Sequence, residues 1–381
     1  MPGRGKILAI ALLTAAVAVS KGCGGLSEIE ELIVVSGAAI DYDGREYTVT
    51  AEIIDLQRGS QETAYKTFYL ESKGESISQA VSRMSKTTGK ELYWGHASVF
   101  IISRSVAQNS LVPVLEWFLH DTLAAFSSMI VLANTENASD IYNFVSPTEN
   151  SVSFALEKIM TNYSSREERG SAAVFEMIDK CGAQGVATLV PVISGVRSGD
   201  ETVIAIDGLA VFASEKLSGI YGPEDSEILR LFLGSHSDNV MSVDTGKETV
   251  HFHCGKVKTD RKALCENGRL RIELKLEVEL KIVDVDGNAG ELDEAFMKRF
   301  SKAAEEFLAG EGRRLVGIDM EDFGSDVLGI GQLLERTKPK LWDEIKDGWR
   351  DLYKRGELDI EVRTTVGQSG EASKTLTLVS E

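Results

Sequence analysis

The chain has 381 residues, of which 43% are hydrophobic and 26% charged, a composition that excludes a polytopic membrane protein and a disordered chain. A length of this kind predicts two or three domains. The net charge of −18 at pH 7 repels phosphate backbones and anionic lipid headgroups, so no nucleic-acid partner is expected. Four cysteines without a CxxC pair exclude a disulfide scaffold and the common zinc and redox motifs.

Residues 1–22 have the pattern of a signal peptide. A basic start precedes the apolar run Ile7–Val19, which is the length of a signal-peptide core and too short to cross a bilayer comfortably. A glycine and Cys23 follow, as at the cleavage site of a bacterial lipoprotein, although Ser20 and Lys21 replace the leucine and small residue usual there. Two interpretations stay open: lipidation of Cys23 after cleavage, or an uncleaved signal anchor beside a bystander cysteine. Both place the bulk of the chain outside the cytoplasm.

Strand and helix patterns alternate through the first 200 residues. An Asp-Gly pair at 43–44 predicts a hairpin turn between two β-rich runs. Helical spacing of apolar residues alternates with short apolar runs further along the chain. The predicted strands are Leu32–Ile40, Tyr47–Ile54, Val99–Ile102 and Phe126–Leu132, and the predicted helices run from Ile77 to Gly89, through Leu111–Leu119 and over Ala138–Val145. This alternation predicts a mixed α/β domain over residues 23–200.

A Gly- and Ser-containing break, Ser194–Thr202, predicts a domain boundary. Two short β-rich runs follow it, and then a helical segment that has Pro223 in its first turn with acidic residues beside it. Residues 201–236 are therefore predicted to form a small ββα middle domain.

The last third of the chain has the clearest pattern. From Leu270 to Ile282 every even-numbered residue is apolar and every odd-numbered one is charged, which predicts a long strand with one buried face. Amphipathic helical patterns follow, and Leu358–Val366 alternates again as a closing strand. The predicted fold class is thus α+β, with three mixed α/β domains, of which the last (237–381) is an antiparallel sheet covered by helices.

One cluster contains metal-ligand residue types. His251 and His253 share one face of a predicted strand, whereas Cys254 points to the other face. Two ligands fall short of a zinc site, so solvent-facing strand histidines are expected and no metal is predicted. A disulfide between Cys254 and Cys265 stays open, because a hairpin turn near Thr259-Asp260 could bring them together but spacing cannot establish the bridge.

No set of residues predicts catalysis. His96 precedes a buried strand without a GxSxG, HExxH or Gly-rich phosphate loop elsewhere in the chain, so a structural role is expected. Trp342 and Trp349 lie seven residues apart in an amphipathic pattern, which favours core positions over a carbohydrate platform. The chain is predicted not to be an enzyme and to need no cofactor.

Several blocks in the same order resemble one family. Glu28, Ile29 and the acidic pair before Leu32 follow the cysteine at matching distances, although two glycines replace the family's Trp-Asp. The blocks "ELYWGHASVFIIS", "LEWFLHDT" and "IDGLAVFASEKLSGIYGPEDSEILRLFLG" resemble its later segments. The most specific block, "FGSDVLGIGQLLERTKPKLWDEIKDGWRDLY", has its aromatic, glycine and proline residues at the family spacing. The chain resembles the Ger(x)C family, the lipoprotein C subunits of spore germinant receptors.

The resemblance implies lipidation at Cys23 and a non-enzymatic role. It implies a membrane-anchored lipoprotein on the outer face of the spore inner membrane, acting as a scaffold or coupling subunit with two integral membrane partners, the A and B subunits. The assembled receptor responds to small nutrients, and the B subunit is the expected ligand holder. Two or three hydrocarbon tails would give stable attachment.

Two other functions remain as alternatives. An extracytoplasmic solute-binding lipoprotein would have two similar α/β lobes around a cleft. A cell-envelope hydrolase would need a nucleophile–base pair, a metal cluster or a buried acid with a perturbed pKa in a deep pocket. For contacts with partner subunits, the outer side of the ββα unit around Gly219–Ile228 is the candidate surface.

Overall fold

The computed structural model of the chain describes residues 32–55, 65–120, 125–163, 173–235, 237–286 and 293–367. Cys23 and the signal segment 1–22 lie outside the described residues. The described part contains two β-sheets, one of nine strands and one of four, with helices packed on both.

The first sheet is mixed, and its strand order is β3-β2-β1-β5-β6-β7-β8-β9, with β4 paired to β1. Strands β1, β5, β6 and β7 are parallel neighbours, and the remaining pairs along this order are antiparallel. The strands are β1 (Leu32–Tyr42), β2 (Tyr47–Asp55), β3 (Lys66–Gly74), β4 (Glu91–Tyr93), β5 (Val99–Ile102), β6 (Met129–Ala133), β7 (Thr188–Ser198), β8 (Glu201–Ala213) and β9 (Lys216–Tyr221).

Helices cover both faces of the first sheet. One core cluster contains residues of α1, α2, α3 and α5, and a separate cluster on the opposite face contains residues of α4 and a 3₁₀ helix. Burial on both faces explains why β5 is a continuous apolar run of four residues. These helices are α1 (Ile77–Thr88), α2 (Arg104–Asn109), α3 (Val112–His120), the 3₁₀ helix Ala138–Asn143, α4 (Val152–Tyr163) and α5 (Val174–Gly182).

The second sheet has the order β10-β11-β12-β13. Its helices cover one face, so the inward residues of β12 are buried and most of the alternate residues are charged and at least partly exposed. The elements are α6 (Pro223–Leu233), β10 (Ser237–Asp244), β11 (Thr249–Glu266), β12 (Arg269–Asp286), α7 (Glu294–Ile318), a π-helical turn Asp319–Phe323, α8 (Ile330–Thr337), α9 (Pro339–Ile345), a 3₁₀ turn Lys346–Gly348, α10 (Trp349–Lys354) and β13 (Glu357–Gly367).

The α+β fold class is confirmed. The predicted hairpin between β1 and β2 is present, with Gly44 at φ +96° in its turn. Gly89 ends α1 in the left-handed conformation, at φ +67°, as the sequence predicts. The long alternating strand is β12, one residue longer at its start than the predicted run and four longer at its end.

The structure departs from the predicted middle domain of residues 201–236. The break Ser194–Thr202 contains the end of β7, a tight turn at residues 199–200 and the start of β8, because Ser198 and Glu201 are paired residues of adjacent strands. Strands β8 and β9 extend the first sheet, and α6 contributes to the core beneath the second sheet. Turn residues mark a change of chain direction, and such a change occurs both in a hairpin and in a linker between domains.

The second sheet also differs from a wholly antiparallel one. Strand β13 pairs with β12 in parallel, from Arg271↔Glu357 to Lys281↔Gly367. The connection between them is the long helical segment α7–α10, and a crossover of this kind allows parallel pairing. Trp342 lies on α9 and Trp349 on α10, and a 3₁₀ turn separates the two helices.

Candidate functional site

The candidate functional site is the junction between the two sheets. The segment that leads into β7 lies against the loop before α8. Ala187 donates its backbone N–H to the carbonyl of Asp326 (2.9 Å), and Gln332 donates its N–H to the carbonyl of Gly185 (3.0 Å). Backbone hydrogen bonds in both directions hold the two segments in one register.

Two glycines let these segments approach closely. Gly185 has φ +76°, and a Cβ atom there would lie 2.5 Å from the Trp342 ring and 2.7 Å from the Cα atom of Gly331. A Cβ on Gly331 would in turn lie 2.8 Å from the Gly185 carbonyl oxygen. Real Cβ atoms essentially never come so close, so both positions require glycine. The Trp342 ring, only 3% exposed, packs over the two glycines.

The β8–β9 hairpin makes a second set of contacts across the junction. The Phe323 ring occupies the space where a Cβ of Gly219 would lie. The hydroxyls of Ser218 and Ser325 are 2.8 Å apart, and Tyr221 donates its hydroxyl to the carbonyl of Leu315 (3.0 Å). One hydrophobic core cluster therefore contains residues of both sheets and is continuous through the junction.

Two buried carboxyl groups lie at the centre of the junction. The two Asp326 oxygens accept from the backbone N–H groups of Ile330 (2.9 Å) and Gly331 (2.7 Å), at the start of α8. Asp319 accepts from the Tyr353 hydroxyl (2.8 Å) and from the N–H of Val327 (3.3 Å). Burial raises the pKa of Asp326 to about 7, although its backbone hydrogen bonds oppose the shift, and burial also raises the pKa of Asp319.

The raised pKa of Asp326 predicts a pH-dependent stability. Its folded pKa of about 7 lies above its ordinary 3.8, so the folded chain holds this proton more tightly than the unfolded chain does. The stabilising effect is complete below the ordinary pKa and is lost as pH rises through the folded pKa. Between these values, Asp326 should lower the free energy of unfolding by about 1 kcal/mol per pH unit.

Asp326→Asn should reduce the slope of the free energy of unfolding against pH by about 1 kcal/mol per pH unit. The measurement is denaturant unfolding at pH values from 4 to 8, for wild type and for the variant. Because other acids titrate in both proteins, the difference between the two slopes isolates Asp326. Asp347→Asn, at an exposed position in the neighbouring 3₁₀ turn, is the control and should retain the wild-type slope. Equal slopes in wild type and Asp326→Asn would contradict the assignment.

A cavity of about 250 Å³ lies beside the junction and is lined by both arginines of this region. Arg261 donates to the carbonyls of Leu328 (2.8 Å) and Leu233 (2.7 Å). Arg230 donates to Glu227 and to the carbonyl of Tyr163, and its guanidinium lies 3.9 Å from the centroid of the Tyr163 ring. The hydrogen bonds of both arginines thus link separate segments of the chain, which is a structural use of the guanidinium groups.

The predicted strand histidines are present on β11. His251 lies 3.0 Å from Asp286 and 2.7 Å from Ser242 through its two ring nitrogens, while Cys254 is fully buried on the opposite face. Within the described residues, no group of three His, Cys, Asp or Glu side chains could hold a metal ion. His96 is exposed, and its ring contacts Tyr93 edge-on.

The possible disulfide between Cys254 and Cys265 is ruled out by the strand that contains them. Both residues lie on β11, whose pairing with β12 runs through Thr259 and Asp260 without a turn. Eleven residue steps of extended chain separate them by about 36 Å, far beyond disulfide reach. Both are free cysteines.

Trp342 and Trp349 are core residues, as predicted. They are 3% and 6% exposed, and their rings meet edge to face with centroids 5.2 Å apart. The candidate contact surface around Gly219–Ile228 stays a prediction, and only part of it is exposed. Tyr221 and Ile228 are buried, and the exposed part is limited to residues 222–224.

The residues at the centre of the junction, Asp319 and Asp326, were not singled out by the sequence. Asp326 lies inside the block that resembles the family most specifically, and Asp319 lies four residues before that block begins at Phe323. The signal that could have found Asp326 is a single acid within the Gly-rich apolar segment 324–331, since a buried carboxyl group needs backbone donors and glycine leaves these accessible. Across the described ranges, no helix is long and apolar enough to span a bilayer.

Comparisons with known proteins cover both halves of the chain. The family model "Spore germination protein N-terminal domain" matches residues 26–194, and "Spore germination B3/ GerAC like, C-terminal" matches residues 207–370. Spore germination protein KC of Bacillus subtilis is 23% identical over 96% of each chain. Putative spore germination protein YfkR of the same organism is 21% identical over 93% of this chain and 94% of its own.

A solved structure supports the same fold. The crystal structure of the GerBC protein matches with a TM-score of 0.56 at 18% identity, covering 87% of this chain and 96% of that one. The two family models meet between residues 194 and 207, at the hairpin turn of β7 and β8. The chain belongs to the Ger(x)C family and has a role in spore germination.

Proposed function

We propose that this chain is a non-enzymatic, lipid-anchored subunit of a nutrient germinant receptor. It is lipidated at Cys23, lies on the outer face of the spore inner membrane, and acts as a scaffold or coupling subunit with the integral membrane A and B subunits. The supporting observation is the junction: hydrogen bonds between Gly185–Ala187 and Asp326–Gln332, together with a continuous core, join the two sheets. Two sheets joined in this way move together, so a displacement at one end of the protein is transmitted to the other end.

The junction argues against a solute-binding lipoprotein. That class has two similar α/β lobes with a ligand cleft between them. Here a nine-stranded mixed sheet, covered on both faces, meets a four-stranded sheet covered on one. Trp342, Phe323 and Tyr221 pack between the two sheets, each in contact with a ring or a glycine.

Asp326 has the raised pKa that a hydrolase would require, and it lines a cavity of about 270 Å³. Its two oxygens, however, accept backbone N–H groups at the start of α8. No histidine, cysteine or metal-ligand cluster is among the residues that line this cavity in the described chain. A carboxyl group held in this way positions a helix, which favours the structural role.

The test is a detergent pull-down of the tagged protein from spore membranes, for wild type and Cys23→Ala. Wild type should be in the membrane fraction and retain two polytopic partners, whereas Cys23→Ala should be soluble and alone. Cys181→Ala, a partly buried free cysteine, is the matched control and should behave as wild type.

Other outcomes would contradict separate parts of the proposal. A membrane-bound wild type without partners would support a free-standing lipoprotein and contradict the receptor role. If Cys23→Ala stays in the membrane with its partners, the anchor is the uncleaved signal segment and Cys23 is a bystander.

A further inference from the structure

Three exposed apolar side chains lie at one end of the first sheet: Leu119, Phe126 and Phe175, which are 55%, 44% and 51% exposed. Phe175 donates its backbone N–H to the carbonyl of Phe126 (3.3 Å), so these two residues are neighbours. Leu119 is in the last turn of α3, which packs against α5, the helix that begins at Val174. Exposed aromatic and leucine side chains grouped in this way mark an interaction surface.

The register of the parallel strands shows which end of the sheet this is. Gly37 of β1 pairs with Val99 of β5, and Val99 pairs with Met129 of β6. Phe126 precedes Met129 by three residues, so it lies toward the end where the parallel strands begin. β1 continues from Gly37 to Leu32 in the same direction, about 17 Å further. The described chain therefore begins at the end that carries the apolar patch.

The chain between Cys23 and Leu32 is short. Nine residue steps of extended chain span about 30 Å at most. If the lipid is attached at Cys23, as proposed above, the bilayer surface lies within this distance of Leu32. Phe126 is two strands away from β1 in the sheet, which is about 10 Å at the usual strand spacing. The patch is thus within reach of the same bilayer.

We propose that Leu119, Phe126 and Phe175 form a second membrane contact, in which the three side chains insert into the interfacial region of the bilayer beside the lipid anchor. The contact holds the first sheet against the membrane by the end where β1 begins. This proposal rests on the lipidated-subunit function, and it adds an orientation that a lipid anchor alone does not impose.

The charge of the chain favours an apolar contact over an electrostatic one. With the signal segment and its three bases removed, the net charge of −18 becomes −21, and such a protein is repelled by an anionic lipid surface. Aromatic and leucine side chains enter the interface without needing basic residues around them, by burial of apolar area. A second contact of this kind also strengthens the attachment that the acyl chains supply.

The test measures the depth of position 175 in lipid. The four native tryptophans are buried, so the emission added by Phe175→Trp reports an exposed site. The lipidated full chain is incorporated into vesicles of phosphatidylcholine with brominated acyl chains, without partner subunits. Bromine should reduce the added emission by about half, as for a residue at the acyl boundary. Val283→Trp, at a 52% exposed position of the second sheet, is the control and should be unaffected.

Two further results separate this inference from the proposed function. Leu119→Ser with Phe126→Ser, in the Phe175→Trp background, should abolish the quenching while the protein still floats with the vesicles. Flotation of the lipidated chain without quenching at position 175 would overturn the membrane contact alone and leave the patch as a surface for another protein. A full-length chain that does not float would overturn the anchor, and the contact with it.

Discussion

Gly331→Ala is expected to lower the free energy of unfolding by about 3 kcal/mol, whereas Gly310→Ala should leave it unchanged or raise it by up to about 1 kcal/mol. Both glycines are helical, Gly331 in α8 and Gly310 in α7. Both substitutions replace glycine by a residue of higher helix propensity, but the surroundings of the two positions differ.

The surroundings decide the sign of the effect. A Cβ at Gly331 would meet the Cα atom and the carbonyl oxygen of Gly185 and the ring of Trp342. Backbone atoms cannot turn aside as a flexible side chain can, so α8 must move away from the segment before β7. That movement breaks the hydrogen bond from Gln332 to Gly185. At Gly310, no neighbouring atom lies within 4 Å of the added Cβ.

Denaturant unfolding measured by near-ultraviolet circular dichroism would test this pair. In Gly331→Ala the transition should also lose cooperativity, because the two sheets no longer share a tightly packed junction. In the pull-down described above, the same variant should still be in the membrane fraction through its lipid anchor. It should no longer bring down its two membrane partners together. A stability equal to that of Gly310→Ala would show that the junction accommodates a methyl group.

Glu52→Ala is expected to lower the free energy of unfolding by about 4 kcal/mol. Glu52 lies on β2 and is fully buried. Its carboxyl group accepts from the hydroxyls of Ser36 and Ser151 (2.8 Å each) and from the backbone N–H groups of Val152 (2.8 Å) and Ser153 (2.9 Å). It therefore caps the start of α4 from a neighbouring strand.

Removing the carboxyl group would leave four buried donors without this acceptor and would create a cavity between the sheet and α4. Glu71→Ala, at an exposed position of the adjacent strand β3, is the control and should change stability by less than about 0.5 kcal/mol. Glu52→Gln should lose an amount of stability between the losses of these two variants. The amide keeps one acceptor but places a donor group next to other donors. The measurement is equilibrium unfolding in urea. A small loss of stability in Glu52→Ala would show that water replaces the carboxyl group as the acceptor.

Local patterns predicted the elements whose faces differ most in polarity. Strand β12 alternates strictly because helices cover one of its faces and the other faces water. The turn at Gly44 and the end of α1 at Gly89 were predictable because glycine is the residue that takes positive φ without strain. Trp342 and Trp349 were predicted as core residues from their spacing, and they are buried.

The junction could not be predicted in the same way. Nothing in the spacing of Gly185 and Gly331, 146 residues apart, shows that their backbones meet. The disulfide between Cys254 and Cys265 stayed open because a turn at Thr259-Asp260 and an uninterrupted 18-residue strand agree equally with the local sequence. The strand extends because its partner, β12, is equally long and pairs with it from Thr249 to Glu266, with register shifts after His251 and Cys254.

By itself, the sequence determined the α+β class, most strand and helix positions, and the resemblance to the Ger(x)C family, because these depend on periodicity and on motifs that are local. The tertiary structure alone decided that the hairpin after residue 200 belongs to the first sheet, that β13 runs parallel to β12, and that Glu52 and Asp326 are buried. A carboxyl group is buried only where the fold brings donors to it, and strand order depends on the path of the connections between strands.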